Sequence, residues 1–583
     1  MPNNRQSYVL HNPHFMNYND HASVSSHHMM DQALEDLQIK KEEWAVLDIN
    51  ERISILNEIL QDFRLVADDW VEAGIQAKRL PKGSFGAGEE WLLVAILYRL
   101  IRSLRQSLTD IRDRQFPRVS GPITVRPNGQ VAASVFPRNI IDRLVMNGIS
   151  AEVWMDPSVA LSDGVIPQAS FHTKLPREGK VALVLGAGNI SALTPSDCLY
   201  KLFVEGRVVI LKPNPVNAYL GTLIERAFQS LIRRGYMRVV YGGAEEGTYL
   251  CRHPAVEELH LTGTARAFDT ITFGPGPEGV QRKLERNPLI QKRFTAELSN
   301  LTPIIVIPGP WNDRDIRSQG EKIASWLAYN AGFNCLTPRM IIQHKSWQHR
   351  DALNQAIGNA LSKIETRAAY YPGAKELHAQ FLKAHPDARQ YGTPCEGHLP
   401  WTFIINLDPK NANEICFQQE AFCSLFAETA IEADDIPEFI DRAVSFANQK
   451  LWGTLTSTIV IHPESINNPK ISRSIDQAIE NLHYGTIIVN HSGGIGYYLS
   501  LTPWGGYPGR DIYDIQSGSG FVNNALMFDH PNKSVVRTPF KPLVDPFLVT
   551  SRRGNEFFKK LADYEFSPSL LKIPGILWTA FRN

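Results

Sequence analysis

Nothing in this chain is in excess, and each shortage excludes something. Lys+Arg and Asp+Glu both number 60 in 583 residues, so no basic surplus points to nucleic acid. No apolar run reaches the ~18–20 residues that would span a bilayer. Cysteines are few: Cys198, Cys251, Cys335, Cys395, Cys416 and Cys423. None falls in a CxxC pair or a Cys/His zinc spacing, so they read as free thiols of a reducing compartment and no metal site is expected. The first thirty residues lack the charged-then-apolar order of a signal peptide. Their His11, His14, His21, His27 and His28 are irregularly spaced, as in a mobile polar tail rather than a metal site. The chain reads as cytoplasmic, without internal repeats or low-complexity segments.

What is present is the composition of an ordinary globular enzyme, 43% hydrophobic and 21% charged. The length exceeds the ~250–300 residues at which one core stops growing, so at least two domains are expected. Apolar residues recur at helical spacing from Asp31 to Leu108. Ile123 to Phe136 reads as a hairpin, because Asn128-Gly129 between two extended runs is a strong turn signal. From Lys180 short apolar strands alternate with helices: Val181–Leu185, Val208–Leu211, Val239–Tyr241 and Glu258–Leu261. A second series includes Ile304–Ile307, Arg339–Gln343, Phe403–Ile405 and Thr458–Ile461. That alternation predicts parallel sheets covered by helices, an α/β fold.

The chemistry concentrates in the stretch from Asn330 to Arg339, Asn-Ala-Gly-Phe-Asn-Cys-Leu-Thr-Pro-Arg. A lone cysteine is ordinarily a small buried apolar residue. Cys335, however, sits in a small-residue loop beside Gly332 and Asn334, where a backbone N–H and a side-chain amide can approach a substrate oxygen. Upstream, Glu297 places an ionisable carboxylate next to the apolar run Thr302–Pro308, which would normally exclude charge. A thiol nucleophile and a separate carboxylate base are the minimum for forming and then hydrolysing a thioester.

The preceding sheet carries weaker signals. Gly186-Ala-Gly188-Asn-Ile-Ser191 follows a strand and opens a helix, but a serine replaces the third glycine of a dinucleotide fingerprint. The next strand ends in Lys212-Pro213 instead of an acid, so a dinucleotide would not be held in the usual Rossmann manner. A lysine there suits a ribose hydroxyl or a phosphate. Gly243 and Gly247 open another helix, and Thr262-Gly-Thr264 places hydroxyls at a carboxyl end of the sheet.

In this order the landmarks resemble the aldehyde dehydrogenase superfamily from about residue 40 to 540. The resemblance implies that Cys335 is the nucleophile, Glu297 the general base and Asn189 an oxyanion-hole amide. It implies that Lys212, Gly243, Gly247 and Thr264 contact the adenosine and phosphate half of NAD or NADP. Glu420 and Phe422, in Glu-Ala-Phe, resemble the pair that positions the nicotinamide ribose and ring, and Pro503-Trp-Gly-Gly-Tyr507 resembles a late family motif. Several positions depart from the pattern. Pro215 stands where many members carry a ribose-binding glutamate, and Glu-Leu-Ser299-Asn300 replaces Glu-Leu-Gly-Gly. Additional residues lie around 273–287, and 541–583 extends beyond the usual end.

The expected architecture is therefore aldehyde dehydrogenase-like: two open α/β domains, cofactor and catalytic, plus a small β oligomerisation arm. Its expected segments are a tail (1–30), a helical part of the cofactor domain (31–117) and the hairpin arm (118–178). A nucleotide-binding domain (179–296) and a catalytic domain (297–490) follow, then a return to the arm (491–540) and the extension (541–583). The implied reaction is oxidation of a small-molecule aldehyde to an acid. The alternatives are a CoA-linked acyl reductase or acylating dehydrogenase, and a non-catalytic scaffold that kept the fold. The resemblance also implies a homodimer or homotetramer built on the hairpin and on a strand near Val535–Phe540. Trp326, Phe333, Trp504 and Tyr507 are candidates for the substrate tunnel wall.

Overall fold

The computed structural model describes residues 23–161 and 164–582. His11, His14 and His21 lie outside the described residues, whereas His27 and His28 open the first helix, His27–Val46, inside the segment expected as tail. Three long helices, His27–Val46, Ile49–Ala77 and Phe85–Arg114, begin at Ser26, Asp48 and Ser84, and each side chain accepts a first-turn backbone N–H. A one-sided helix must bury its apolar stripe against another element: the first packs on a six-stranded sheet, and the other two pack on each other and on neighbouring helices of the same core.

In spatial order the six strands are Gly518–Ser519, Arg293–Glu297, Glu258–Thr262, Val181–Leu185, Val208–Lys212 and Met237–Val239. All pairings are parallel except the first. Val181–Leu185 and Val208–Lys212 are buried along their whole length, as strands covered on both faces must be. Strand order reverses between Val181–Leu185 and Glu258–Thr262, and open α/β sheets bind ligands outside the carboxyl ends at such a point.

The second sheet has eleven strands, and its central parallel part includes Thr486–Val489, Thr456–Val460, Pro303–Val306, Met340–His344, Leu425–Ile431 and Trp401–Leu407. Separate apolar clusters cover its two faces. The chain leaves the six-stranded sheet at Glu297 and enters the larger one at Pro303. Glu297 therefore ends a strand of the first sheet, which the sequence reading missed, and does not merely flank an apolar run.

The hairpin forms as predicted, Ile123–Val125 against Val131–Phe136. Its surroundings differ from expectation. Val131–Phe136 pairs with Ser150–Met155, which pairs with Pro531–Arg537, which pairs with Thr486–Val489 of the same chain. The arm is thus continuous with the chain's own large sheet. The strand expected to lean on a neighbouring subunit already has both edges filled, and among the described residues Ile123–Val125 forms the open edge at this end.

The 541–583 extension folds back on the core. Helix Gly554–Phe566 packs along Phe85–Arg114, and Arg99 and Arg102 both bond Glu565. The helix Ile573–Phe581 follows it, and no helix among the described residues is long and apolar enough to cross a membrane.

Candidate active site

Three segments converge where the two sheets meet. The first is the loop after Val181–Leu185, carrying Asn189; the second is the end of Arg293–Glu297; the third is the turn after helix Asp313–Ala328, carrying Cys335. That helix is set by a capping box in which Asn312 and Asp315 satisfy each other's backbone N–H groups. Beyond its end, Asn330, Ala331 and Gly332 take φ of 49°, 54° and 82°, a left-handed run that turns the chain sharply into Cys335. Gly332 has no alternative, since a Cβ there would sit 2.3 Å from the carbonyl oxygen of Cys423.

The loop is braced from several sides. Buried Arg339 donates to the carbonyls of Gly332, Cys423 and Leu425 and so ties the turn to the strand behind it. Asn189 Nδ2 donates to the Phe333 carbonyl at 2.9 Å. The Asn189 carbonyl in turn accepts from Asn330 Nδ2 and from the Tyr370 hydroxyl. Glu89, paired with Arg367 at 2.7 Å, accepts the Asn330 backbone N–H. The sequence reading missed Glu89, Tyr370 and Asn330 as participants, because each looks like an ordinary polar residue of a helix or loop until the chain is folded.

Cys335 is only part-buried by area because one side opens on a cavity, yet its thiol is densely surrounded. Burial pushes the thiol well above its usual range, and the facing Glu297 carboxylate adds to the shift. Glu297 is 3% exposed, and neither carboxylate oxygen makes a hydrogen bond within the protein. Burial raises it from 4.5 to about 7; the Cys335 thiol and the Trp504 indole face it, but neither is placed well enough to bond it. A second buried carboxyl, Glu420, is likewise raised to about 7 by burial, against the pull of Arg339 and of Ser299 and the Asn300 backbone. The Glu297 charge adds to the rise of Glu420, and the Asp197 charge adds to that of Glu297.

Phe422, at φ 38°, joins Phe333 and Tyr371 in a ring cluster with centroids 5.9 and 4.9 Å away. The cavity itself is lined mainly by Leu93, Ile96, Ile190, Leu336, Trp504 and Phe547, with Cys335, Asn330 and Asn334 on its wall. Phe547 belongs to the extension, and its carbonyl accepts the Tyr329 hydroxyl. Of the four aromatics expected on the tunnel wall, only Trp504 is there. Trp326 and Phe333 are core residues, and Tyr507 stacks on His483 at 5.0 Å. Their side chains are held by neighbours the sequence could not name.

The residues assigned to the nucleotide also come together. Lys212 ends its strand beneath the start of helix Ala244–Arg252, where a Cβ on Gly247 would lie 3.6 Å from Lys212 Cε. Its ammonium has no hydrogen bond or ion pair among the described residues, and burial lowers its pKa. Gly243 caps that helix, its N–H bonded to Glu246 at 2.6 Å. Thr264 uses its hydroxyl to cap helix Ala265–Phe273, and the Gly263 N–H bonds the Glu297 carbonyl, linking this turn to the strand that carries Glu297. A cavity of about 450 Å³ opens between these two helices, lined by Thr248, Cys251, Ile271 and Ile290. An unpaired buried cation, a close-approach glycine and an apolar slot fit the phosphates, ribose and base of a dinucleotide. No metal was expected; His385, Glu414 and Cys416 do bring ligand-type atoms within 4.8 Å, but Glu414 already accepts from His385 and from the Cys416 N–H.

Residues 169–372 match the model of the aldehyde dehydrogenase family. Aldehyde dehydrogenase LUC3 of Fusarium sp is 27% identical over 160 residues, 27% of this chain and 31% of the relative. N-succinylglutamate 5-semialdehyde dehydrogenase of Novosphingobium aromaticivorans is 28% identical over 163 residues, 28% and 31% of the two chains. The chain thus spans about a third of the length of these curated relatives. Among solved structures, a mutant of aldehyde dehydrogenase C from Pseudomonas syringae, in complex with NAD+ and octanal, superposes with a TM-score of 0.60. It is 14% identical, and the match covers 89% of this chain and 90% of that one. Glyceraldehyde-3-phosphate dehydrogenase GapN from Methanocaldococcus jannaschii, complexed with NADP, gives a TM-score of 0.59 at 14% identity, covering 89% and 96%. Residues 169–372 thus carry the likeness to the aldehyde dehydrogenase family, and most of the chain shares the fold of these solved dehydrogenases.

Proposed function

We propose that this protein oxidises an aldehyde to a carboxylic acid, with NAD or NADP as electron acceptor and Cys335 as nucleophile. The observation that carries the reading is the pairing of Cys335 with Glu297, a buried carboxylate free of protein hydrogen bonds and raised to about 7. At neutral pH such a group is half ionised and can take a proton from the thiol or from water.

Cys335 Sγ attacks the carbonyl carbon of an aldehyde lying in the apolar cavity, and its proton passes to Glu297. The second amide N–H of Asn189, with the Cys335 backbone N–H, supports the oxygen that becomes negative. A bound nicotinamide supplies a two-electron hydride acceptor. Lys212, Gly243, Gly247 and Thr264 would hold its adenosine and phosphate half, and Glu420 and Phe422 would face the other. Once Cys335 carries a thioester, Glu297 has released the first proton to solvent and, ionised again, removes a proton from water; the new C–O bond forms, the C–S bond breaks, and the departing thiolate takes that proton back as acid is released. Aldehyde, water and oxidised cofactor give acid, reduced cofactor and one proton. Glu297 facing the thiol supports hydrolysis over transfer to CoA, and Asn300, unusual for the family, is buried in bonds to Thr302 and the Thr456 carbonyl.

The cavity supports an apolar substrate. Each methylene taken from water is worth ~0.8 kcal/mol, about fourfold in kcat/KM. Activity should therefore climb steeply from acetaldehyde to hexanal, measured by reduced nicotinamide with NAD and with NADP, each with and without CoA. A flat or falling series would reject the apolar assignment, and turnover that requires CoA would reject hydrolysis. No reduced nicotinamide under any condition would reject oxidation altogether.

Lys212 should act on cofactor binding alone. Lys212→Ala is expected to raise the cofactor KM by about tenfold with kcat little changed, as loss of one charge-assisted contact predicts. Unchanged KM for both cofactors would remove Lys212 from the site. A larger loss for NADP than for NAD would show that the lysine reads the extra phosphate.

A further inference from the structure

At the C-terminal end of helix Phe85–Arg114, a polar cavity of about 380 Å³ is lined by six arginines: Arg99, Arg102, Arg105, Arg114, Arg118 and Arg138. They come from three segments: the helix, the loop after it, and the chain beyond strand Val131–Phe136. Three have partners. Arg99 and Arg102 share Glu565, and Arg105 bonds Asn57. The guanidinium groups of Arg114, Arg118 and Arg138 make no hydrogen bond or ion pair among the described residues.

The two carboxylates of the wall do not serve them. Asp110 accepts from the Gln106 amide and from the Arg118 backbone N–H, and Asp142 accepts the Arg138 backbone N–H. Six guanidinium charges thus face Asp110, Asp142 and the shared Glu565, an excess of three. Burial, then the charges of Arg99 and Arg102, pull the Arg138 pKa below its usual value, while Asp110 and Asp142 oppose that shift. A helix dipole accounts for Arg114, in the last turn. It does not account for Arg118 or Arg138, which lie outside the helix. Like charges gathered in a concave site repel one another unless an anion enters, and planar guanidinium forks match tetrahedral oxyanions.

We propose that this cavity binds a phosphate group, offered by inorganic phosphate or by a phosphomonoester. The anion is held by Arg114, Arg118 and Arg138, with Arg99 and Arg102 behind them. The site also adjoins the cavity of Cys335 through one residue: Glu565, gripped by Arg99 and Arg102, accepts the hydroxyl of Tyr498, which lines that cavity.

The test is titration calorimetry of the full chain with inorganic phosphate and with glycerol 3-phosphate, at ionic strength held constant with sodium chloride. A saturable site is expected, weakened more than about tenfold in Arg118→Gln/Arg138→Gln, since each lost charge-assisted bond is worth ~1.5–3 kcal/mol. It should persist in Lys212→Ala. Tighter binding of glycerol 3-phosphate would identify an esterified ligand, and equal or weaker binding a free oxyanion. The single variant Arg118→Gln, on an exposed side chain, serves if the double variant does not fold. No saturable heat with either probe, binding unaffected by these substitutions, or binding lost in Lys212→Ala would each overturn the proposal.

Discussion

Cys335→Ala is expected to lower kcat by more than about 10⁴-fold while leaving nicotinamide binding within about twofold of the parent, because the proposed mechanism makes the thiol the reacting atom and puts the nucleotide contacts elsewhere. The fold should tolerate the change. Cys335 is part-buried beside the cavity, and the loop geometry rests on Gly332, Arg339 and Asn189, not on the sulfur. The other five cysteines provide the control: Cys198, Cys251, Cys416 and Cys423 are buried, and Cys395 is exposed. Burial raises the thiols of the four buried ones, as it does that of Cys335, but Cys335 alone faces both a cavity and a paired carboxylate. Measured turnover with hexanal and NAD, alongside fluorescence titration of cofactor, separates the two effects. Appreciable activity in the alanine variant would move the nucleophile elsewhere.

The second large effect belongs to Glu297→Gln. Pre-steady-state mixing should still show a burst of reduced cofactor, followed by turnover slower by about 10²–10⁴-fold, the usual worth of a positioned general base. The pH profile gives the sharper reading. Because burial raises Glu297 to about 7, deacylation in the parent should rise through pH 7 and level off above it, and this limb should vanish in the glutamine variant. A variant that keeps the limb would assign it to Glu420, which is also raised to about 7.

The same shift has a cost in stability, and its sign can be worked out. A carboxyl whose folded pKa exceeds its ordinary 4.5 binds more protons folded than unfolded between pH 4.5 and about 7. The parent therefore loses stability as pH rises through that window. Glu297→Gln has no proton to lose there, so its Tm relative to the parent should climb between those pH values and stay level above them.

The elements most legible in the sequence were those whose signal is local. The strands Val181–Leu185 and Val208–Lys212 show as apolar runs because both their faces are covered. The turn at Asn128-Gly129 announces its hairpin because Gly129 takes a positive φ of 84° that glycine adopts freely. Cys335, Glu297 and Lys212 stood out because a thiol in a glycine loop, a carboxylate beside an apolar run and a lysine ending a strand are each out of place. Long-range partnership was not legible. Arg293–Glu297 reads as polar and was missed as a strand, though its register on Glu258–Thr262 carries Glu297 to the cysteine. Strand Pro531–Arg537 lies far along the chain from Ser150–Met155, and nothing in either said they would pair within one molecule. Burial is likewise a tertiary quantity: the raised carboxyls of Glu297 and Glu420, and the three unpartnered arginines, acquire their chemistry from atoms distant in the chain. Sequence by itself determined which residue types and local backbone shapes were available; only tertiary structure decided which of them would meet, and how much water would be left between them.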